Sequence, residues 1–276
     1  MNTPIAAPRP APAHPARHWP LALAAWLLLY LLALGLGELP GLQALGQAAH
    51  TGSAAHGHPY ADTRSWLGLP FAADTLSNLP FVLLALLGAG RLRRHPLQGI
   101  GRRAAWVFCA GLLLTGLGSA AFHLAPSAGS LVLDRLGMAV AFAGLLGLAS
   151  TARLGEAAGR WLLPVYLPLA LLAAALPGLG GTVWPWAVAQ YGGVLWLLGL
   201  CLLPQPAGAL RLGLAWVLLG YALAKLFEGL DAAIFAASAE WVSGHTLKHL
   251  AAAAACWPVL ASLAKQDVTS LSLRPR

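Results

Sequence analysis

Charge is scarce in this chain. Asp, Glu, Lys and Arg make up 9% of its 276 residues, and only nine of these are acidic. Soluble domains carry about 25% charged residues. With 58% hydrophobic residues and a mean hydropathy of +0.69, an ordinary soluble domain is excluded and the bilayer becomes the solvent. Cysteine is scarce too. Cys109, Cys201 and Cys256 are odd in number, lie in apolar runs and fit no metal-ligand spacing, which points to helix packing rather than a disulfide framework or a redox pair. Period-2 alternation is missing, so a transmembrane barrel is excluded in favour of helices. There is no repeat of fixed period, no heptad pattern and no Gly-rich phosphate loop after a strand. GxxxG-like spacings abound and signal close helix packing.

Long Leu-, Ala- and Gly-rich runs reach the roughly 20 residues needed to cross the hydrocarbon core. Eight spans are expected, near 20–37, 72–90, 104–124, 131–151, 161–176, 184–203, 212–236 and 244–264. The fifth is short and carries Pro164 and Pro168, where a kink is expected. The formal charge of +8 is a topology signal rather than a nucleic-acid signal. With a cytoplasmic N-terminus, the cytoplasmic segments hold Arg9, Arg17, Arg91, Arg93, Arg94, Arg102, Arg103, Arg153, Arg160, Arg211, Lys265, Arg274 and Arg276, which is 13 of the 17 Lys and Arg. The opposite loops hold Arg64, and Arg135, Lys225 and Lys248 lie within spans. This bias follows the positive-inside rule. The expected organisation is an all-α integral membrane protein. It comprises a basic Pro/Ala-rich leader (1–19), an extra first span (20–37), an outer loop (38–71), a seven-helix core (72–264) and a cytoplasmic tail (265–276). The first span reads either as an uncleaved signal anchor or as a signal peptide. His50, His56 and His58 fall in the outer loop, among Gly, Ala and Ser, and read as solvated loop residues. The expected location is a bacterial inner membrane with both termini cytoplasmic.

Polar side chains inside a bilayer are costly, so each one asks for a reason. The second span opens with Asp74, Ser77 and Asn78. The third ends with Ser119 and His123, and the fourth opens with Asp134 and Arg135. The seventh contains Lys225, Glu228 and Asp231, and the eighth opens with His245, Lys248 and His249. Under the orientation above, nearly all lie in the outer, periplasmic part of the membrane. Residues four apart share a helix face, which pairs Ser119 with His123 and His245 with His249. Three imidazoles at one depth suit zinc, with a fourth coordination position left open. Asp134 is the candidate proton acceptor, and Ser119 a candidate hydrogen-bond donor to a developing oxyanion. Lys225, Glu228 and Asp231 read as a charge-compensating network, with Lys248 balanced by Glu228 or Asp231. Arg135 reads as a snorkelling side chain.

The set Ser119-x3-His123, Asp134 eleven residues on, and His245-x3-His249 resembles the alkaline ceramidase family. That family belongs to a wider superfamily of seven-span hydrolases that includes the adiponectin-type receptors. "TLSN" at 75–78 resembles the family's opening-helix motif, and the likeness covers about residues 70–265. The resemblance implies a seven-helix bundle and a zinc held by His123, His245 and His249. It implies Asp134 and Ser119 as catalytic partners, and hydrolysis of the amide of ceramide or a related N-acyl lipid. The acidic, Trp-bearing segment associated with calcium in eukaryotic members has no match here; the nearby acids are Asp62 and Asp74. Two other classes stand beside the hydrolase: a lipid receptor or binding protein with a structural zinc, and an ion-coupled transporter lined by Lys225, Glu228 and Asp231.

Overall fold

The structure is a computed structural model and describes residues 18–51 and 60–264, with residues 47–51 described for their backbone alone. The side chains of His50, His56 and His58, most of the leader, and Lys265, Arg274 and Arg276 lie outside the described residues. All regular elements among the described residues are helical: α1 (Trp19–Leu36), α2 (Pro40–Thr51), α3 (Ala72–Leu76), α4 (Leu79–Arg94), α5 (Gly99–Leu124), α6 (Ala128–Leu154), α7 (Glu156–Ala175), α8 (Trp184–Leu202), α9 (Leu214–Gly229), α10 (Asp231–Ala237) and α11 (Gly244–Ser262). A short 3₁₀ turn, Leu176–Leu179, extends α7.

Six segments are long and apolar enough to cross a membrane: Trp19–Leu36, Ala72–Arg94, Gly99–Leu124, Ala128–Leu154, Glu156–Leu179 and Trp184–Leu202. The protein is therefore a multi-pass membrane bundle. The last two expected spans differ from that description. The run 212–236 is interrupted at Leu230, whose backbone leaves the helical region, so α9 has 16 residues and α10 only seven. α11 has 19 residues, but His245, Lys248 and His249 in its first turns make it less apolar. Both helices pack within the bundle, α9 against α11 and α8, and α11 also against α4. The segment 38–71 is more ordered than a plain loop, since α2 lies within it. α7 runs as one helix through Pro164 and Pro168.

Helix packing here owes little to hydrophobic burial, because lipid tails are as apolar as leucine; small residues that let backbones touch matter more. α5 and α6 show this most clearly. A methyl added at Gly111 would collide with the backbone of Ala141, and one at Gly144 with the backbone of Phe108. Gly118 would meet Leu133 O and Gly137 would meet Thr115 in the same way. The glycines fall seven apart on each helix, two turns, so one seam is glycine-lined over much of its length. That seam sets Ser119 and His123 of α5 beside Asp134 of α6.

Successive long helices alternate in direction. The arginines gather at one end, where Arg102 Nη1 donates to Leu92 O, His95 O and Leu97 O, and Arg153 Nη1 to Leu203 O. His123, His245 and His249 gather at the other end. α1 lies at the rim, with the Tyr30 hydroxyl donating to Leu169 O of α7 at 2.7 Å and Trp26 stacked on Tyr166.

Candidate metal centre

His123 sits in the last turn of α5, and His245 and His249 occupy successive turns of α11. All three are buried. One ring nitrogen from each lies within 4.8 Å of the others. His123 Nε2 and His245 Nε2 are 3.3 Å apart. Two nitrogens held about 2.05 Å from one ion at tetrahedral angles stand about 3.3 Å apart, so this separation fits a zinc-sized ion.

Ser77 fixes the third ring. Its Oγ lies 2.9 Å from Asp74 O and 2.8 Å from His249 Nδ1. A carbonyl oxygen can only accept, so the single hydroxyl proton goes to Asp74 O. Ser77 Oγ then accepts from His249 Nδ1–H, and the Nε2 lone pair is left for a metal. A hydrogen bond that selects the tautomer of a ligating histidine is the usual outer support of such sites.

The N-terminus of α11 is held as carefully as its histidines. The Ser243 side chain accepts from Thr246 N at 2.9 Å, and Asp231 Oδ1 accepts from His245 N at 2.7 Å. These bonds satisfy two of the amides that a helix start leaves without partners. The buried Asp74 carboxylate accepts from Ser243 Oγ at 3.2 Å and from Thr246 Oγ1 at 2.6 Å, tying α3 to α11. Asn78 Nδ2 donates to Asp74 O, while its Oδ1 is buried without a hydrogen-bond partner among the described residues.

A strap of residues 60–71 crosses the histidine end. Tyr60 lies against His245, with ring centroids 3.4 Å apart and planes 22° from parallel. Burial pushes the Tyr60 phenol up to about 12, so it stacks as a neutral ring at ordinary pH. The strap is pinned by Ala61 N donating to Asp231 Oδ2 at 2.9 Å. Arg64 adds an ion pair with Asp62, a bond to Trp241 O and a position 5.1 Å over the Phe235 ring.

Ser119 and Asp134 come close across the α5–α6 seam, where the serine side chain favours the charged carboxylate. Lys248 Nζ lies 2.5 Å from Glu228 Oε1, and Lys225 pairs with the other oxygen of the same carboxylate. Of the two acids expected to balance Lys248, Glu228 does so. Asp231 lies apart from that network and caps α11 instead. Arg135, expected to snorkel, is buried.

Below the lysines a cavity of about 140 Å³ runs into the bundle. Phe81, Phe108, Leu112, Phe142 and Leu218 line it, and Lys225, Glu228 and Lys248 form a charged margin. Along α11 it extends from Lys248 to Cys256, about 12 Å of helix axis.

Sequence reasoning did not single out Tyr60, Ser243 or Thr246. Ser243 was legible as a helix cap, because it precedes the α11 run directly. Nothing local marks Tyr60, which reaches His245 through tertiary folding. No protein-family model, no curated protein and no solved structure matches the chain.

Proposed function

We propose that the protein is a membrane-embedded, zinc-dependent hydrolase of the amide bond in ceramide or a related N-acyl lipid. The observation that carries this reading is the convergence of His123, His245 and His249 from two distant segments, with one nitrogen from each within 4.8 Å of the others and the His123–His245 pair 3.3 Å apart. It is supported by the Ser119–Asp134 pair on the adjoining helix seam and by an apolar cavity suited to an acyl chain.

His123, His245 and His249 would hold the ion, which supplies a Lewis acid and lowers the pKa of a bound water to about 7. Asp134 accepts the proton released as water adds to the amide carbon, and returns it to the nitrogen as the C–N bond breaks. Ser119, close by on the adjoining helix, would favour the charged form of the Asp134 carboxylate. The cavity takes the acyl chain, and Tyr60 keeps bulk water off His245. The products are a fatty acid and an amine.

The purified protein is expected to carry close to one zinc per chain and to release fatty acid from at least one N-acyl lipid in a screen read by mass spectrometry. His249→Ala should lose both. Zinc with ligand binding but no turnover would favour a lipid receptor instead. Full metal content and hydrolysis in His249→Ala would exclude the site.

A further inference from the structure

At the opposite, basic end a groove of about 570 Å³ runs between the end of α4 and the end of α11. Its upper part is apolar, with Leu86 and Leu87 on α4 and Leu263 across from them. Its lower part holds Arg91, Arg94 and His95. Gly90 lies between the two parts, and a methyl added there would meet nothing within 4 Å. The missing side chain is what leaves the groove open.

The polar groups are arranged to donate. Arg91 Nη1 donates to Leu260 O at 2.9 Å, and the guanidinium lies 4.9 Å over the Trp257 ring, so the cation is held in place at the groove wall. Arg94 makes no hydrogen bond or ion pair among the described residues. His95 is 93% buried at 7% relative exposure. Its Nδ1 accepts from Leu97 N at 3.0 Å, so in the neutral ring the proton sits on Nε2. Burial and the nearby Arg102 charge both lower the His95 pKa, which keeps the ring neutral at ordinary pH. That Nε2–H is buried and has no hydrogen-bond partner among the described residues. A buried donor without an acceptor is costly.

We infer that this groove binds the phosphate of an anionic phospholipid, with Arg91 and Arg94 at the headgroup, His95 in the wall beside them, and one acyl chain along Leu86, Leu87 and Gly90. From Leu86 to Arg94 is about 12 Å along the helix. That length joins an apolar channel to a cationic end, which matches a phospholipid and exceeds what a free phosphate needs. Basic pockets between transmembrane helices take anionic headgroups by the same chemistry. The site is independent of the metal centre, which lies at the other end of the bundle.

The test uses the full chain purified in a mild neutral detergent. Native mass spectrometry counts retained phosphatidylglycerol, and thermal shifts are read with added phosphatidylglycerol, phosphatidylcholine or inorganic phosphate. Phosphatidylglycerol should be retained at one per chain and should raise the melting temperature; phosphatidylcholine and millimolar phosphate should do neither. Gly90→Leu, which fills the channel and alters no charge, should abolish retention. Arg94→Gln should weaken binding about fivefold, near 1 kcal/mol for one cation at a membrane surface. Arg160→Gln, an exposed arginine at the same end but outside the groove, should leave retention unchanged. Wild-type retention in both Gly90→Leu and Arg94→Gln would overturn the assignment. So would equal binding of phosphatidylcholine, an equal shift with inorganic phosphate alone, or phosphatidylglycerol binding that appears only after residues 265–276 are removed.

Discussion

At the scale of single residues, Ser77 offers the cleanest handle on the proposed metal centre. It touches His249 through Nδ1, away from the nitrogen left for an ion. Ser77→Ala leaves all three imidazoles in place but releases the tautomer. Removing such an outer hydrogen bond typically costs 10–100-fold in metal affinity, so zinc affinity in a competitive chelator titration is expected to drop by about that factor. Three imidazoles at one depth were legible in the sequence because polar residues inside a span are rare enough to name one by one. Their support was less so. Ser77 was visible as a polar neighbour, yet its role depends on where α3 stops. Asp231 read as part of a charge network, but its carboxylate serves two backbone amides, and backbone partners leave no mark on composition.

The glycine seam between α5 and α6 decides the matter at the scale of elements. Gly144→Leu would force apart a contact in which Phe108 backbone takes the place of a side chain. Overpacking of this kind costs typically 1–3 kcal/mol, and here the obstacle is backbone that cannot rotate away. The expected outcome is a lower melting temperature in detergent and weaker zinc retention together, because the same seam carries His123 and Asp134. Leu195→Ala, on the exposed face of α8, should do neither. The sequence showed small residues in abundance but not which of them touch, since a chain rich in Gly and Ala has many equivalent spacings. It also showed one apolar run at 212–236, where the chain folds as α9 and α10. Apolar periodicity continues through a break when both halves face the same surroundings, and the single glycine before the turn, Gly229, is one of 31 in the chain and does not stand out.

For the molecule as a whole, the two ends differ in kind. One gathers arginines on backbone carbonyls; the other gathers imidazoles, carboxylates and a covering strap. The orientation proposed from the positive-inside rule has the arginine end in the cytoplasm. A cysteine introduced at Ser65, in the strap, should then react with a membrane-impermeant maleimide in intact cells, whereas one at Ala207, in the loop after α8, should react only after lysis. The reverse pattern would place the metal centre on the cytoplasmic side. Native thiols give little background, because Cys109 is buried and Cys201 and Cys256 are half-buried within helices.

One carboxylate, that of Asp231, clasps both the backbone of the strap and the first turn of the ligand helix. The door over the site and the hinge of a ligand therefore hang from the same nail. Lifting the strap from the aqueous side would loosen His245 with it, so a guest that arrives sideways, between helices, leaves the ligand set undisturbed.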